Sequence, residues 1–316
     1  MRPGGRLRDP KLPVYVGALV LAVLMGVGVG RVIGPVSTYP GDPGQNTAGQ
    51  PSGQPQGGGP VVAADGHIHG TTGGGGSASG APSLGGLEIT ASGYTLAPAA
   101  DEYEVSSKPQ SIRFQILRAD GTPATQFAVV HEKPMHFFVV RRDFADYQHL
   151  HPTMADDGTW RVDADFGEPG PYKMYADFTA VDAAGTQAAV TLGADITVSG
   201  DYQPKPLMDP ATESTVDGLT AAMAGTATPG VASPILFTVT RGGAAVELEP
   251  YLGAFGHLVA LRDGDMGFAH VHPEPQLADG AVKFWLTAPT PGTYRLYLDF
   301  QVGGAVHTAN YLMVVK

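Results

Sequence analysis

The chain has 316 residues, no cysteine and a formal charge of −11. The absence of cysteine excludes disulfides, thiolate metal ligands, a thiol nucleophile and covalent haem attachment. The acidic balance argues against nucleic acid as a partner. The length has room for about two domains of ~150 residues.

Residues 1–34 read as a cytoplasmic tip and a transmembrane anchor. Arg2, Arg6, Arg8 and Lys11 precede a run of 19 uncharged residues from Leu12 to Gly30, against about 20 needed to cross a bilayer core. The basic flank predicts an inside N-terminus and an extracytoplasmic remainder at the cell membrane. The competing reading is a signal peptide, cleaved at a small-x-small triplet such as Gly28-Val29-Gly30, which would make the protein secreted. Residues 35–86 are rich in Gly, Pro, Ser, Gln and Thr and poor in large apolar side chains. Such a segment buries too little surface to offset its ordering entropy and is expected to be a disordered tether. It contains His67 and His69, a His-x-His that in a floppy chain is either a loose metal ligand or simply solvated.

From Leu87 onward short runs rich in Val, Ile, Phe, Tyr and Thr alternate with turn signals, and no long helical periodicity is present. The pattern predicts an all-β fold of immunoglobulin-like sandwiches. The region is written twice. PGPYKMYADF from Pro169 matches PGTYRLYLDF from Pro291, Asp157-Gly158 matches Asp279-Gly280, and IRFQILRADG from Ile112 matches ILFTVTRGGA from Ile235. Two tandem modules follow, 87–200 and 211–316, joined by a proline-bearing linker. Tyr172 and Tyr294, each just after Pro-Gly at a strand entrance, are candidates for the tyrosine corner of that fold.

The repeat also carries histidine. His136, His149 and His151-Pro152 read H-x12-H-x-H-P, and His257, His270 and His272-Pro273 read the same, 121 residues on at each position. Imidazole is a common transition-metal ligand near neutral pH. In the second module Asp263-Gly264 suggests a two-residue type I′ turn. Pairing outward from it sets His257 opposite His270, with His272 on the same strand face. His136, His149 and His151 converge equivalently, on an apolar face that also carries Phe138, Val140 and Tyr147 in one module and Val259, Leu261, Met266 and Phe268 in the other. A single histidine on such a face suits a core residue bonded to a carbonyl; three in duplicate suit a metal site. Gly303-Gly304 predicts a second turn that sets Phe300 against His307, a candidate fourth ligand whose counterpart in the first module is Gln187. By alternation His131 lies on the wrong face to join. Asp177 and Asp299 lie opposite in sense to Tyr172 and Tyr294 and read as surface or ion-pair residues. Met135, Met154 and Met266 lie near the histidines, where thioether would favour Cu(I) and the plainer role is core filler.

The run QHLHP followed by DGTW and PGPYKMYADF, with its partner GHLVALRDGD and FAHVHPE, resembles the bacterial membrane-anchored proteins with YtkA-like or heavy-metal-binding β-sandwich domains, related to CopC-like copper modules. The resemblance covers 87–316. It implies an extracytoplasmic immunoglobulin-like fold and the handling of a copper ion, with zinc as the second choice. The reading that follows is a membrane-tethered metal-binding protein acting as buffer or chaperone, with the metal ion and the membrane as partners and any envelope protein partner unnamed. The alternative is a non-catalytic scaffold or interaction module whose histidines are structural. No nucleophile–base pair or paired carboxylates stand out, so the chain is not read as an enzyme.

Overall fold

The β-branched and aromatic runs fold as the alternation predicts. In a computed structural model the described residues are 83–316, together with two short strands, β1 (Val61–Val62) and β2 (Ile68–His69), that pair antiparallel. The expected anchor and most of the tether lie outside the described residues. No helix among the described residues is long and apolar enough to cross a membrane.

The first module contains β3 (Thr90–Ala91), β4 (Tyr94–Pro98), β5 (Glu102–Glu104), β6 (Gln110–Arg118), β7 (Phe127–Ala128), β8 (Met135–Arg141), β9 (Gln148–Leu150), β10 (Thr153–Met154), β11 (Thr159–Ala164), β12 (Gly170–Val181) and β13 (Gln187–Ser199). They form two sheets, β10-β11-β6-β4-β3 and β5-β13-β12-β8-β9, with β7 also on β12. Trp160, Phe114, Phe137 and Tyr172 fill the core between them. The second module contains β14 (Glu213–Val216), β15 (Leu219–Ala224), β16 (Ala232–Arg241), β17 (Ala244–Ala245), β18 (His257–Arg262), β19 (Phe268–Pro273), β20 (Val282–Thr287), β21 (Gly292–Val302) and β22 (Ala305–Val315). Its order is β14-β15-β16-β20-β19-β18-β21-β22, with β17 on β16. The sheet is continuous because β19 changes partner: Phe268 and Ala269 pair with β18, and His270 to Pro273 pair with β20.

Both tyrosine corners are present. The Tyr172 hydroxyl donates to the Glu168 carbonyl at 2.8 Å, and Tyr294 to that of Thr290 at 2.9 Å, each four residues upstream.

Strand alternation separates two faces in each module. Met135, Phe137 and Val139 of β8 enter the first core, and Leu258 and Ala260 of β18 enter the second. The opposite faces carry Phe138, Val140, Val259 and Leu261. They are apolar, as the sequence suggests, but they do not line a sandwich core. They pack against each other in a third cluster with Phe144, Tyr175, Met266, Phe268 and Tyr297. Both modules belong to one compact unit. The joint is reciprocal: the Tyr175 hydroxyl donates to the Met266 carbonyl and the Tyr297 hydroxyl to the Phe144 carbonyl, both at 2.6 Å. The rings of Tyr147 and Tyr297 stack with centroids 3.9 Å apart. Burying each such side chain is worth about 1.5–3 kcal/mol relative to leaving it in water, so this cluster is ample to dock the modules.

The last residues of the expected tether are ordered. Gly85 exchanges both main-chain hydrogen bonds with Phe268 at 2.9 Å, and Gly86 donates to the Thr191 carbonyl. Gly86 has φ +67°, and a Cβ there would lie 2.4 Å from the Tyr175 ring, so only glycine fits. The linker between the modules is pinned too: the Lys205 amide donates to Asp143, and its ammonium pairs with Glu168, which also holds Arg141.

Candidate metal centre

The strand faces behave as the alternation requires, but both hairpins are shifted by two residues from the expected register. Leu261 pairs with Phe268, and Phe138 pairs with His149. The expected pairings of His257 with His270 and of His136 with His149 are therefore corrected. The cause is the turn. Residues 263–266 form a four-residue loop closed by Arg262 N donating to the Gly267 carbonyl, with Gly264 and Met266 at positive φ, instead of a two-residue Asp-Gly turn. A slip of two keeps every side chain on its face, so the convergence of the first triplet survives.

His136, His149 and His151 each place a ring nitrogen within 4.8 Å of the others. Two of these rings are held by acceptors on their far side. His136 Nε2–H donates to the Val130 carbonyl at 3.2 Å. His149 Nδ1–H donates to Asp299 Oδ2, a carboxylate of the second module, at 2.8 Å. An imidazole with one nitrogen committed as donor keeps its lone pair on the other. Those remaining atoms, His136 Nδ1 and His149 Nε2, face each other at 3.1 Å. Two lone pairs at that distance repel unless a positive charge, a proton or a metal ion, sits between them. His151 Nε2 is also buried without a hydrogen-bond partner. An outer carboxylate or carbonyl that fixes a histidine tautomer is the usual support of a metal ligand.

Desolvation, reinforced by His149, His257 and His151, holds the His136 pKa well below the usual imidazole value. Burial, with His149 and Lys133 adding to it, lowers His151 to about 3. These rings are neutral near pH 7, the form in which imidazole binds a metal. Asp177, the counterpart of Asp299, is pushed up to about 6 by burial; the hydrogen bond from Thr191 opposes this.

The second triplet does not converge. His257 donates from Nε2 to the Leu252 carbonyl at 3.3 Å, and its ring stands with the first triplet, 5.6 Å from that of His136 and 5.9 Å from that of His149. His270 and His272 point Nε2 at Nε2, 2.7 Å apart, on the part of β19 that has joined β20. The two equivalent sites of the sequence reading are thus replaced by one cluster at the module joint and a His270–His272 pair, of which His270 lines the same cavity as His136, His149 and His257.

The Gly303-Gly304 turn sets Phe300 against His307 as expected, with both glycines at positive φ. His307 nevertheless shares the face of Phe300, which is core, while His257 lies opposite Asp299 on the other face. His307 bonds to Asp217 at 2.8 Å and is not part of the cluster. Met135 is also on the core side. Met154 lines a groove beside His151 together with Trp160, Phe127 and Glu132.

Three participants escape the sequence reading. Asp299 is buried and bonds to both His149 and Thr308. Asp177 is half-buried and accepts a hydrogen bond from Thr191. Their shared parity with the histidines was the available signal; what it could not show is that the face meets another module. His131 lies on the loop before β8, at φ +49°, where strand parity does not apply, and its ring is 5.3 Å from that of His257.

No curated protein matches the chain. Among solved structures, a marsupial T cell receptor is similar over 69% of this chain and 62% of its own at 9% identity, with a TM-score of 0.21. The D0-D1 domain of intimin is similar over 70% and 97% at 14% identity (TM-score 0.21). InvD of Yersinia pseudotuberculosis is similar over 72% and 58% at 14% identity (TM-score 0.23). The match spans less than two thirds of the receptor and InvD chains. A family model described as a domain of unknown function, DUF8832, matches residues 89–196 and again 214–316, and the chain belongs to that family.

Proposed function

We propose that the protein binds a transition-metal ion through His136, His149 and His151, and serves as a metal buffer or chaperone tethered to the outer face of a cell membrane. One observation carries the reading: His136 Nδ1 and His149 Nε2 face each other at 3.1 Å while their other nitrogens are committed to Val130 and Asp299. An all-imidazole set suits copper and zinc and disfavours magnesium and calcium, and the Irving–Williams order places Cu(II) above Zn(II). The thioether of Met154 in the groove beside His151 adds a soft donor near the approach to the site. The N-terminal anchor and the tether supply the location. The resemblance to heavy-metal-binding sandwich domains points the same way.

The scaffold reading has its own support in the second module, where His257 bonds to a carbonyl and His270 pairs with His272. Elemental analysis of the purified full chain separates the two. A metal buffer carries or takes up copper or zinc, and His136→Ala with His149→Ala abolishes the uptake attributable to this centre at small cost in stability. A scaffold takes up none, and the same pair of substitutions destabilises the fold.

A further inference from the structure

We infer that the centre is completed by the second module, with His257 as the fourth imidazole, so that one ion fastens the two modules together; this rests on the metal-binding reading of the triad. Four nitrogens at tetrahedral positions about 2.0–2.1 Å from a zinc-sized ion put their ring centroids about 5.3 Å apart. Five of the six separations among these four rings lie between 4.8 and 5.9 Å. His257 has the same tautomer lock as His136: its Nε2–H is held by the Leu252 carbonyl as that of His136 is held by Val130. The lone pair is therefore on Nδ1 in both. His131 also stands near, its ring 5.3 Å from that of His257 and 6.1 Å from that of His136. His257 stands within 5.9 Å of two of the triad rings, and it comes from a strand, β18, whose backbone is fixed by pairing with β21.

The three triad nitrogens already lie within 4.8 Å of one another, and His257 has to swing inward to join them. That movement draws β18 toward β8. The outer shell is inter-modular as well, because Asp299 from β21 orients His149 of β9. Four protein ligands leave no position open for substrate, which is the composition of a structural or storage site and not of a catalytic one. Lys133 beside His151 opposes a cation there, and the buried Asp299 offsets it.

The test uses the full chain carrying His67→Ala and His69→Ala, titrated with Cu(II) and separately with Zn(II). For the copper form, electron–nuclear double resonance counts the strongly coupled nitrogens; for the zinc form, X-ray absorption counts imidazoles. Four imidazoles in the otherwise unaltered protein, falling to three in His257→Gln with affinity weakened by at least about tenfold, the lower end of what even an outer-shell partner is worth, are the expected results. Three imidazoles in the parent, with His257→Gln binding as tightly as the parent while His149→Gln does not bind, overturn the fourth ligand and leave the triad standing. An absence of bound ion in the parent overturns both. The nitrogen count on the parent needs no variant at residue 257: three imidazoles overturn the fourth ligand even if His257→Gln fails to fold, while a count of four that falls to three in His131→Gln or in His270→Gln, the other two rings lining this cavity, gives the fourth place to that ring and overturns His257.

Discussion

In the first module the H-x-H-P segment stays beside β8 through Leu150 and crosses to the other sheet at His151-Pro152; in the second it leaves β18 after Ala269, before either of its histidines. The same triplet at the same spacing therefore ends in two arrangements. In one, all three rings meet. In the other, His257 stays with the joint while His270 and His272 follow β20. The entering chain accompanies this break in symmetry, since Gly85 bridges to Phe268 and, among the described residues, no equivalent bridge forms at Tyr147. A metal-ligand motif is thus a statement about residue types, and the residue at which a strand changes sheets decides whether it becomes a site.

The largest effect expected from this contrast is in metal affinity. His149→Gln removes a triad nitrogen that already faces His136, and binding should weaken by more than about 100-fold. His270→Gln, the same position in the repeat, should change it less than about threefold. Competition titration against a chromophoric chelator measures both. Equal losses would mean that the second triplet also reaches the ion.

The carboxylates sharpen the comparison next. Asp299→Asn removes the charged acceptor that fixes the His149 tautomer and should cost about 10- to 100-fold in affinity. Asp177→Asn should leave affinity within a few-fold, because the bond given to Asp177 is from Thr191 and not from a triad ring. It should instead stabilise the protein at pH 7. A carboxyl raised from 3.8 to about 6 by burial is costly to keep ionised, and removing it gains on the order of 1–3 kcal/mol in urea unfolding. A stability loss in Asp177→Asn would show that its charge is used.

Much of this was legible in the sequence. Period-two alternation gave the strands, the doubled PG-x-Y element gave both modules and their tyrosine corners, and Gly303-Gly304 gave a correct register. Parity placed His136, His149 and His151 on one face. The Asp263-Gly264 turn misled because Met266, a residue seldom found at positive φ, completes a longer loop. The destination of the apolar face was not legible at all. Alternation reports that a face is buried, and whether another sheet of the same module or a neighbouring module covers it is a tertiary matter. For that reason Asp177 and Asp299 read as surface or ion-pair residues with no partner named, and His307 as a ligand; Asp299 does pair, with His149 of the other module.

Acid should act on the metal-free protein mainly through the joint. His136, His151 and His257 all have folded pKa values depressed by burial. Below about pH 6.5 the unfolded chain takes up protons that the folded one refuses, so stability falls as pH drops through that value. Asp177 works in the opposite sense, holding its proton when folded up to about pH 6; three imidazoles outweigh one carboxyl. Urea unfolding at pH 7.5, 6 and 5 should show a steady decline, reduced in His257→Gln. A flat profile would mean that the rings are hydrated and chargeable in the fold.

The smallest effects test whether the joint is as reciprocal as its bonds. Tyr175 and Tyr297 occupy the same repeat position, and each donates to a loop carbonyl of the other module at 2.6 Å. Replacing either by phenylalanine keeps the ring and removes the hydroxyl, leaving a carbonyl short of its partner. A cost of about 1 kcal/mol follows for each. The two bonds lie at separate loops, so the double variant should cost the sum, about 2 kcal/mol, if the modules remain docked throughout. A double variant markedly worse than the sum would show that the hydroxyls act together to keep the modules closed. Adding Zn(II) should then stabilise that variant less than the parent, because stabilisation by a ligand follows its apparent affinity and an opened joint weakens the hold on an ion bound between β8 and β18.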